Sequence, residues 1–186
     1  MNHHLRMSAA HYTPVDDALI ITGEVAPVAG TPLDFTGEGR SIGGDMERFN
    51  AAGPGGYDHN FVVDGWVASA MVGGGEAGEE KKEGPSDDSP AELRHAATLT
   101  DPDSGRSMTI TTNAPGIQAF TCSNIDAGNT AIWTGKGGTV YAKHGAVCLE
   151  TQNWPDAINN LGAGFPDPRL RVGERYRHVV VHAFRW

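Results

Sequence analysis

Short apolar runs closed every few residues by Gly, Pro, Asn or Asp are the feature that most constrains this chain. They recur at Leu19–Thr22, Phe61–Val67, Ala96–Asp101, Ser107–Thr112, Ile117–Cys122, Ala146–Gln152 and Tyr176–Phe184, and each has the length and punctuation of a β-strand. No window keeps a 3.6-residue apolar period beyond about three turns. Long amphipathic helices are therefore excluded, and only a short helix near Ser41–Asn50 is predicted. The 25 Gly and 11 Pro among 186 residues are spread along the chain, as many turns between strands require. One all-β domain over residues 1–186, a sandwich or barrel, follows.

Charge narrows the partners. The chain carries 14 Lys and Arg against 23 Asp and Glu, a net charge of −9, and its basic residues are scattered. Nucleic acid and anionic membrane surfaces both need a concentrated basic patch, so neither is expected as a partner. No apolar run approaches the roughly 18 residues of a membrane span. Met1–Ala10 has two His, one Arg and no apolar block, so neither leader nor anchor is expected there, and a cytoplasmic location is.

One stretch departs from the rest. Residues 73–90 contain nothing more apolar than Ala77 and set six carboxylates against Lys81 and Lys82. Such a segment cannot bury enough apolar area to offset its ordering entropy, so a disordered acidic loop between two strands is predicted.

Searches for familiar chemistry mostly fail. Cys122 and Cys148 have no CxxC spacing and no second pair to complete a zinc site, and are read as two reduced, mostly buried thiols. His3, His4 and His11 show no metal-binding spacing, so no metal is expected. Zincin, serine-hydrolase and phosphate-loop motifs are missing.

Alternation along two strands is more informative. In Ala146–Gln152, the side chains of Cys148, Glu150 and Gln152 point one way and those of Val147, Leu149 and Thr151 the other. In Ile117–Cys122, Gln118, Phe120 and Cys122 share a face. A carboxylate, amides and an aromatic ring on one sheet face offer what a sugar needs: directional partners for hydroxyls and a flat apolar surface for C–H groups. Burial of Glu150 would raise its pKa toward neutrality and suit it to general-base work. Tyr57-Asp58-His59-Asn60-Phe61 adds a second polar cluster, placed by the sequence at the entrance to a strand.

With these residues in view, the chain resembles the C-terminal part of the aldose 1-epimerase (galactose mutarotase) family. The matching segments are Tyr12-Thr13-Pro14-Val15-Asp16, Thr22-Gly23-Glu24 through Asp34-Phe35, Tyr57 to Phe61, and Thr111-Thr112 with Pro115-Gly116-Ile117-Gln118. Cys148 to Asn159 follows, then Arg171 with Gly173-Glu174 and Tyr176, all in family order over nearly the whole chain. The resemblance implies a large antiparallel β-sandwich of the supersandwich type, here lacking its N-terminal strands. It also implies interconversion of the α and β anomers of free hexoses without a cofactor. By that similarity Glu150 is the general base at the anomeric hydroxyl, Asp58 holds sugar hydroxyls and Gln118 is a further sugar-contacting amide. The family's general acid is a His upstream of the Tyr12–Asp16 segment. Asn2-His3 only superficially mimics its setting, so no acid is assigned. A partial sandwich would expose edges and an apolar face, so the chain by itself is expected to be unstable or inactive. A non-catalytic sugar-binding module is the alternative. A hexose-phosphate substrate is disfavoured by the lack of clustered Arg and Lys.

Overall fold

The computed structural model describes residues 1–46, 55–66, 92–125 and 133–186. Two five-stranded antiparallel sheets face each other across a shared core, as the sequence predicts. Among the described residues, ten strands run in chain order: β1 (His4–Met7), β2 (His11–Thr13), β3 (Ala26–Pro27), β4 (Arg40–Ser41), β5 (Asp58–Val62), β6 (Arg94–Thr100), β7 (Ser107–Thr112), β8 (Gly116–Phe120), β9 (Cys148–Gln152) and β10 (Val180–Arg185). One sheet has the order β10-β7-β6-β1-β4, the other β3-β2-β5-β8-β9. Sequence-adjacent strands pair only partly, so the fold depends on long-range closure.

The core lies between the sheets and is supplied by alternation. Leu5 and Met7 of β1, Ala97 of β6 and Ile110 of β7 meet Phe61 of β5 and Ile117 and Ala119 of β8, all buried. Phe35 and Tyr57 fill the space beside them, with ring centroids 5.1 Å apart in an edge-on arrangement, the geometry aromatic pairs favour. Arg40 stacks its guanidinium 4.8 Å from the Phe35 ring centroid and pairs with Asp45. This tethers the loop before β4 to the core.

Several sequence expectations shift in detail. Leu19–Thr22 is not a strand. The Asp16 carboxylate accepts the N–H groups of Ala18 and Ile20 and folds the segment into a turn, leaving one isolated bridge between Val15 and Ile21. Side-chain acceptors of this kind compete with ladder pairing. Near Ser41–Asn50 a single 3₁₀ turn, Ile42–Gly44, replaces the predicted helix, and residues 47–50 lie outside the described residues. The strand expected at Phe61–Val67 is β5, which begins at Asp58 and ends at Val62, because a turn follows Val63 in which the N–H of Trp66 bonds to the Val63 carbonyl; Val67 lies outside the described residues. The acidic segment 73–90 lies outside the described residues. Among the described residues no helix is long and apolar enough to cross a membrane.

His59 illustrates how the core face constrains a polar residue. It alternates with Asp58 and Asn60, so its ring turns inward and lies edge-on to Tyr12 at 6.1 Å. Burial lowers its pKa to about 4, against a smaller opposing pull from Asp58. A folded pKa below the unfolded value of about 6.5 means the unfolded chain takes up the proton first. Stability is then full above about pH 6.5 and declines as pH falls toward 4, by up to ~3 kcal/mol from this group at 1.36 kcal/mol per unit. His95, also lowered by burial, acts in the same direction. Urea midpoints at neutral pH and near pH 4.5 are expected to show the decline, and His59→Gln to flatten part of it. A pH-independent midpoint would contradict the burial of this imidazole.

Candidate active site

The outward face of the β3-β2-β5-β8-β9 sheet is polar, and register rather than sequence proximity assembles it. Gln118 lies opposite Asn60 on one side and Glu150 on the other, while Thr13 lies opposite Asn60. The four side chains form a row across β2, β5, β8 and β9. A second row joins Asp58, Phe120 and Cys148, and a third Val62, Gly116 and Gln152. Because pleating sends alternate residues to the same side, all three rows share one face.

Hydrogen bonds knit the rows together. Gln118 Nε2 donates to Asp58 Oδ1 at 2.7 Å, a diagonal contact to a charged acceptor. Gln152 Nε2 lies 3.4 Å from both Asn60 Oδ1 and Gln118 Oε1. Asn60, itself buried, donates from Nδ2 to Thr13 Oγ1 at 3.2 Å. The amides are thus oriented from behind: Thr13 fixes Asn60, Asn60 and Gln118 position Gln152, and Gln118 aims at Asp58. Side chains held this way lose little further entropy when a ligand's hydroxyls arrive.

One end of the face is walled. After β9 the chain turns through two 3₁₀ segments, Ala157–Asn159 and Leu161–Ala163, and lays Trp154, Ala157 and Phe165 over Val62. Trp154 donates from Nε1 to the Pro115 carbonyl at 2.9 Å and meets the Phe165 ring edge-on at 4.9 Å. Gly116 is required beneath this wall. A Cβ there would stand 2.5 Å from Asn60 Oδ1 and 3.0 Å from Trp154 Cδ1, so any larger residue would push the wall off the sheet.

Asp58 and Glu150 both stand exposed. The burial foreseen for Glu150 is therefore absent, because β9 is the outermost strand of its sheet among the described residues. Two clefts, of about 580 and 520 Å³, open elsewhere, around His3, Leu99 and Asp101. Neither is lined by Asp58, Gln118 or Glu150, and His3 belongs to them rather than to the polar face.

Comparison with known proteins fixes the lineage. The family model described as Aldose 1-epimerase matches residues 1–183. The chain belongs to the aldose 1-epimerase family. Human galactose mutarotase is 37% identical over 183 residues, covering 98% of this chain and 44% of that protein. The mouse galactose mutarotase is 36% identical with the same coverage. The crystal structure of an aldose epimerase homologue from C. elegans has a TM-score of 0.69 at 24% identity, covering 99% of this chain and 46% of that one, and shows the shared fold. This aldose 1-epimerase chain thus spans less than half the length of the relatives it matches.

Within this aldose 1-epimerase chain the structure brings Asp58, Gln118 and Glu150 onto one face, with Phe120 beside Asp58 in the row next to that of Gln118 and Glu150. The sequence places Asn60 in a polar cluster without giving it a role, and gives none to Thr13 or the Trp154 wall. The signal for Asn60 was the alternation Asp58-His59-Asn60, which becomes readable only once the strand is known to begin at Asp58. Cys122 does not extend the β8 pattern, since the strand ends at Phe120 and Cys122 adopts a left-handed φ of 50°.

Proposed function

We propose that this chain takes part in interconverting the α and β anomers of free hexoses such as glucose and galactose, with Glu150 as general base and Asp58 and Gln118 holding sugar hydroxyls. The observation that carries the proposal is the shared face on which Gln118 bonds to Asp58 and sits opposite Glu150. Asp58 and Glu150 are two strand spacings and one row apart, about 12 Å between backbone positions, from which their side chains reach toward each other. That span accommodates one pyranose ring hydrogen-bonded at both ends. Relatives named galactose mutarotase support the choice of a neutral hexose.

The chemistry needs a base at O1 and an acid at the ring oxygen. Glu150 removes the anomeric hydroxyl proton as the C1–O5 bond breaks, and the electron pair released at O5 takes a proton from the acid. Rotation about C1–C2 presents the other face of the aldehyde, and the reverse transfers close the ring. Phe120 offers its ring to the sugar's C–H face, and the Gln118–Asp58 pair keeps the hydroxyls in register with the base. No acid is assigned among the described residues. The two free thiols suit a reducing, cytoplasmic setting.

Exposure of Glu150 favours a second possibility, a module that binds sugar without turning it over. Polarimetry of freshly dissolved α-galactose separates the two. Acceleration over the buffer rate that disappears in Glu150→Gln supports the mutarotase; saturable binding without acceleration supports the module.

Gln118→Ala tests the positioning role directly. The variant removes a hydrogen bond to a charged acceptor and leaves Asp58 unguided, so galactose affinity is expected to fall by about 10- to 100-fold, in line with roughly 1.5–3 kcal/mol for such bonds. Titration calorimetry reads this, and an unchanged affinity would remove Gln118 from the site.

A further inference from the structure

We propose that β10 is a dimerisation edge, on which a second copy of this chain lays its own β10 antiparallel across a two-fold axis at Ala183. The inference stands apart from the sugar reading, since none of its residues belongs to the Asp58–Glu150 face.

Among the described residues the two sheets end in four outer strands, and these are unequal. β3 and β4 have two residues each, and β3 ends in Pro27. β9 has five and carries Glu150 in its middle. Short length, Pro and an in-line charge are the usual protections of a bare edge. β10 runs for six residues, Val-Val-His-Ala-Phe-Arg, with no Pro and its only Arg at the end, and all six are exposed. A long apolar edge of this kind is a template for another strand.

The phase of the ladder leaves that template open. Asn113 clamps the approach to β10: its N–H donates to the Val179 carbonyl at 3.3 Å, its Oδ1 accepts the Val179 N–H at 2.8 Å, and its Nδ2 donates to the Arg177 carbonyl at 2.9 Å. Val179 therefore turns its backbone groups toward β7, and by the two-residue alternation of an antiparallel ladder so do Val181, Ala183 and Arg185. The N–H and C=O groups of Val180, His182 and Phe184 point to the open edge. Register sets these same three residues opposite Thr112, Ile110 and Met108, on the side of the sheet that faces the core. The second sheet does not reach them there: Phe184 is 62% exposed, and Trp186, just past the strand, 94%. Both line the cleft of about 580 Å³ that is floored by Leu99 and Met108.

Size and symmetry select a second copy as the occupant. Val180, Val181, Phe184 and Trp186 together expose roughly 500 Å² of side chain, most of it from the two aromatic rings. With the backbone edge added, this approaches the ~800 Å² that each partner contributes to a stable association. A two-fold axis requires a strand that matches itself. Antiparallel pairing that keeps the core-facing side chains together sets even-numbered residues opposite even-numbered ones. Centred on Ala183, it places Phe184 against His182 and Trp186 against Val180, aromatic and β-branched cross-strand pairs of the kind that stabilise sheets. The open backbone groups of His182 and Phe184 then meet each other, and two five-stranded sheets become one. Centred on His182, the pairing would oppose two imidazoles and leave Trp186 beyond the Val180 end of the other strand.

The test is sedimentation velocity of the full chain over a concentration series, with three variants. A reversible dimer is expected, with a dissociation constant in about the micromolar range. His182→Pro removes an N–H that points only to the open edge and spares the β7 ladder; Val181→Lys sets an ammonium opposite Arg185 of the other copy. Each is expected to weaken the dimer about 10-fold or more while the monomer keeps its thermal transition, and if His182→Pro does not fold, Val181→Lys carries the comparison. Paired Ala183 positions would stand about 4.5 Å apart at Cα, within disulfide reach, so Ala183→Cys treated with oxidised glutathione is expected to give a covalent dimer linked at the substituted positions. A chain that stays monomeric throughout the series, a dimer indifferent to Val181→Lys, or assemblies that grow without closing would overturn the proposal. A dimer that the variants weaken but Ala183→Cys does not link would overturn the register. A monomer whose Val180, His182 and Phe184 amides resist hydrogen exchange would mean that another segment of the same chain occupies the edge, and would overturn the second copy as its occupant.

Discussion

Replacing Glu150 by Gln is expected to lower the rate of galactose mutarotation by about 10²–10⁴-fold, the usual contribution of a positioned general base, with little change in affinity. Gln keeps the side chain's shape and removes only its capacity to accept a proton. Glu150 is exposed at the end of a row whose other members are held without it, Asn60 by Thr13 and Gln118 by Asp58, so its replacement leaves the fold's stability within about 0.5 kcal/mol. That separation makes the outcome decisive. Polarimetry would report the loss of rate, and an unshifted thermal transition would assign it to chemistry. Asp58→Asn provides the contrast: it keeps the Gln118 contact but weakens it, and is expected to raise KM more than it lowers kcat. A Glu150→Gln protein with parental rate would place the base elsewhere on the face.

Phe61→Ala is expected to destabilise the chain by about 3–5 kcal/mol, the range for truncating a buried aromatic ring. Phe61 is wholly buried and lies on β5 one residue from Asn60, with its ring 6.2 Å from Phe35. Its removal opens a void between the sheets directly behind the polar face. Domains of ordinary stability hold only about 5–15 kcal/mol in total, so a large part of the margin goes. Urea unfolding followed by tryptophan fluorescence measures the loss. Sugar affinity is expected to weaken in parallel, because the strand that carries Asp58 and Asn60 is held from beneath by this ring. A shift below about 1 kcal/mol would mean that the sheets do not pack through Phe61.

Alternation made much of the face legible in advance. Gln118 and Phe120 on one strand, and Cys148, Glu150 and Gln152 on another, were assigned to common faces from period-two spacing alone, and the observed pairing of Gln118 with Glu150 puts the two faces on the same side. The local pattern could not state which strands are neighbours. Thr13 therefore escaped notice, and Asn60 was named only as a member of a polar cluster: each looks like an ordinary strand polar until register sets them side by side. Leu19–Thr22 misled for a different reason. Its apolar residues read as a strand, but Asp16 captures the backbone donors that pairing would need. Even in β8 the pattern fails at one residue, where the backbone turns left-handed at Cys122 and ends the alternation. The Trp154 wall was hidden because its anchor, the Pro115 carbonyl, comes from a loop 39 residues away.

The position of β9 at the rim of its sheet has a dynamic consequence. Among the described residues, only β8 bonds to it, so the backbone groups on its outer side lack ladder partners and its amides are expected to exchange with solvent sooner than those of β8 or β5. The strand that carries Glu150 is thus the least anchored of the three that carry Asp58, Gln118 and the carboxylate opposite. A sugar bridging Asp58 and Glu150 would act as a missing clasp across β8, and the slowing of hydrogen exchange on its arrival should be greatest in β9, fading inward toward β5.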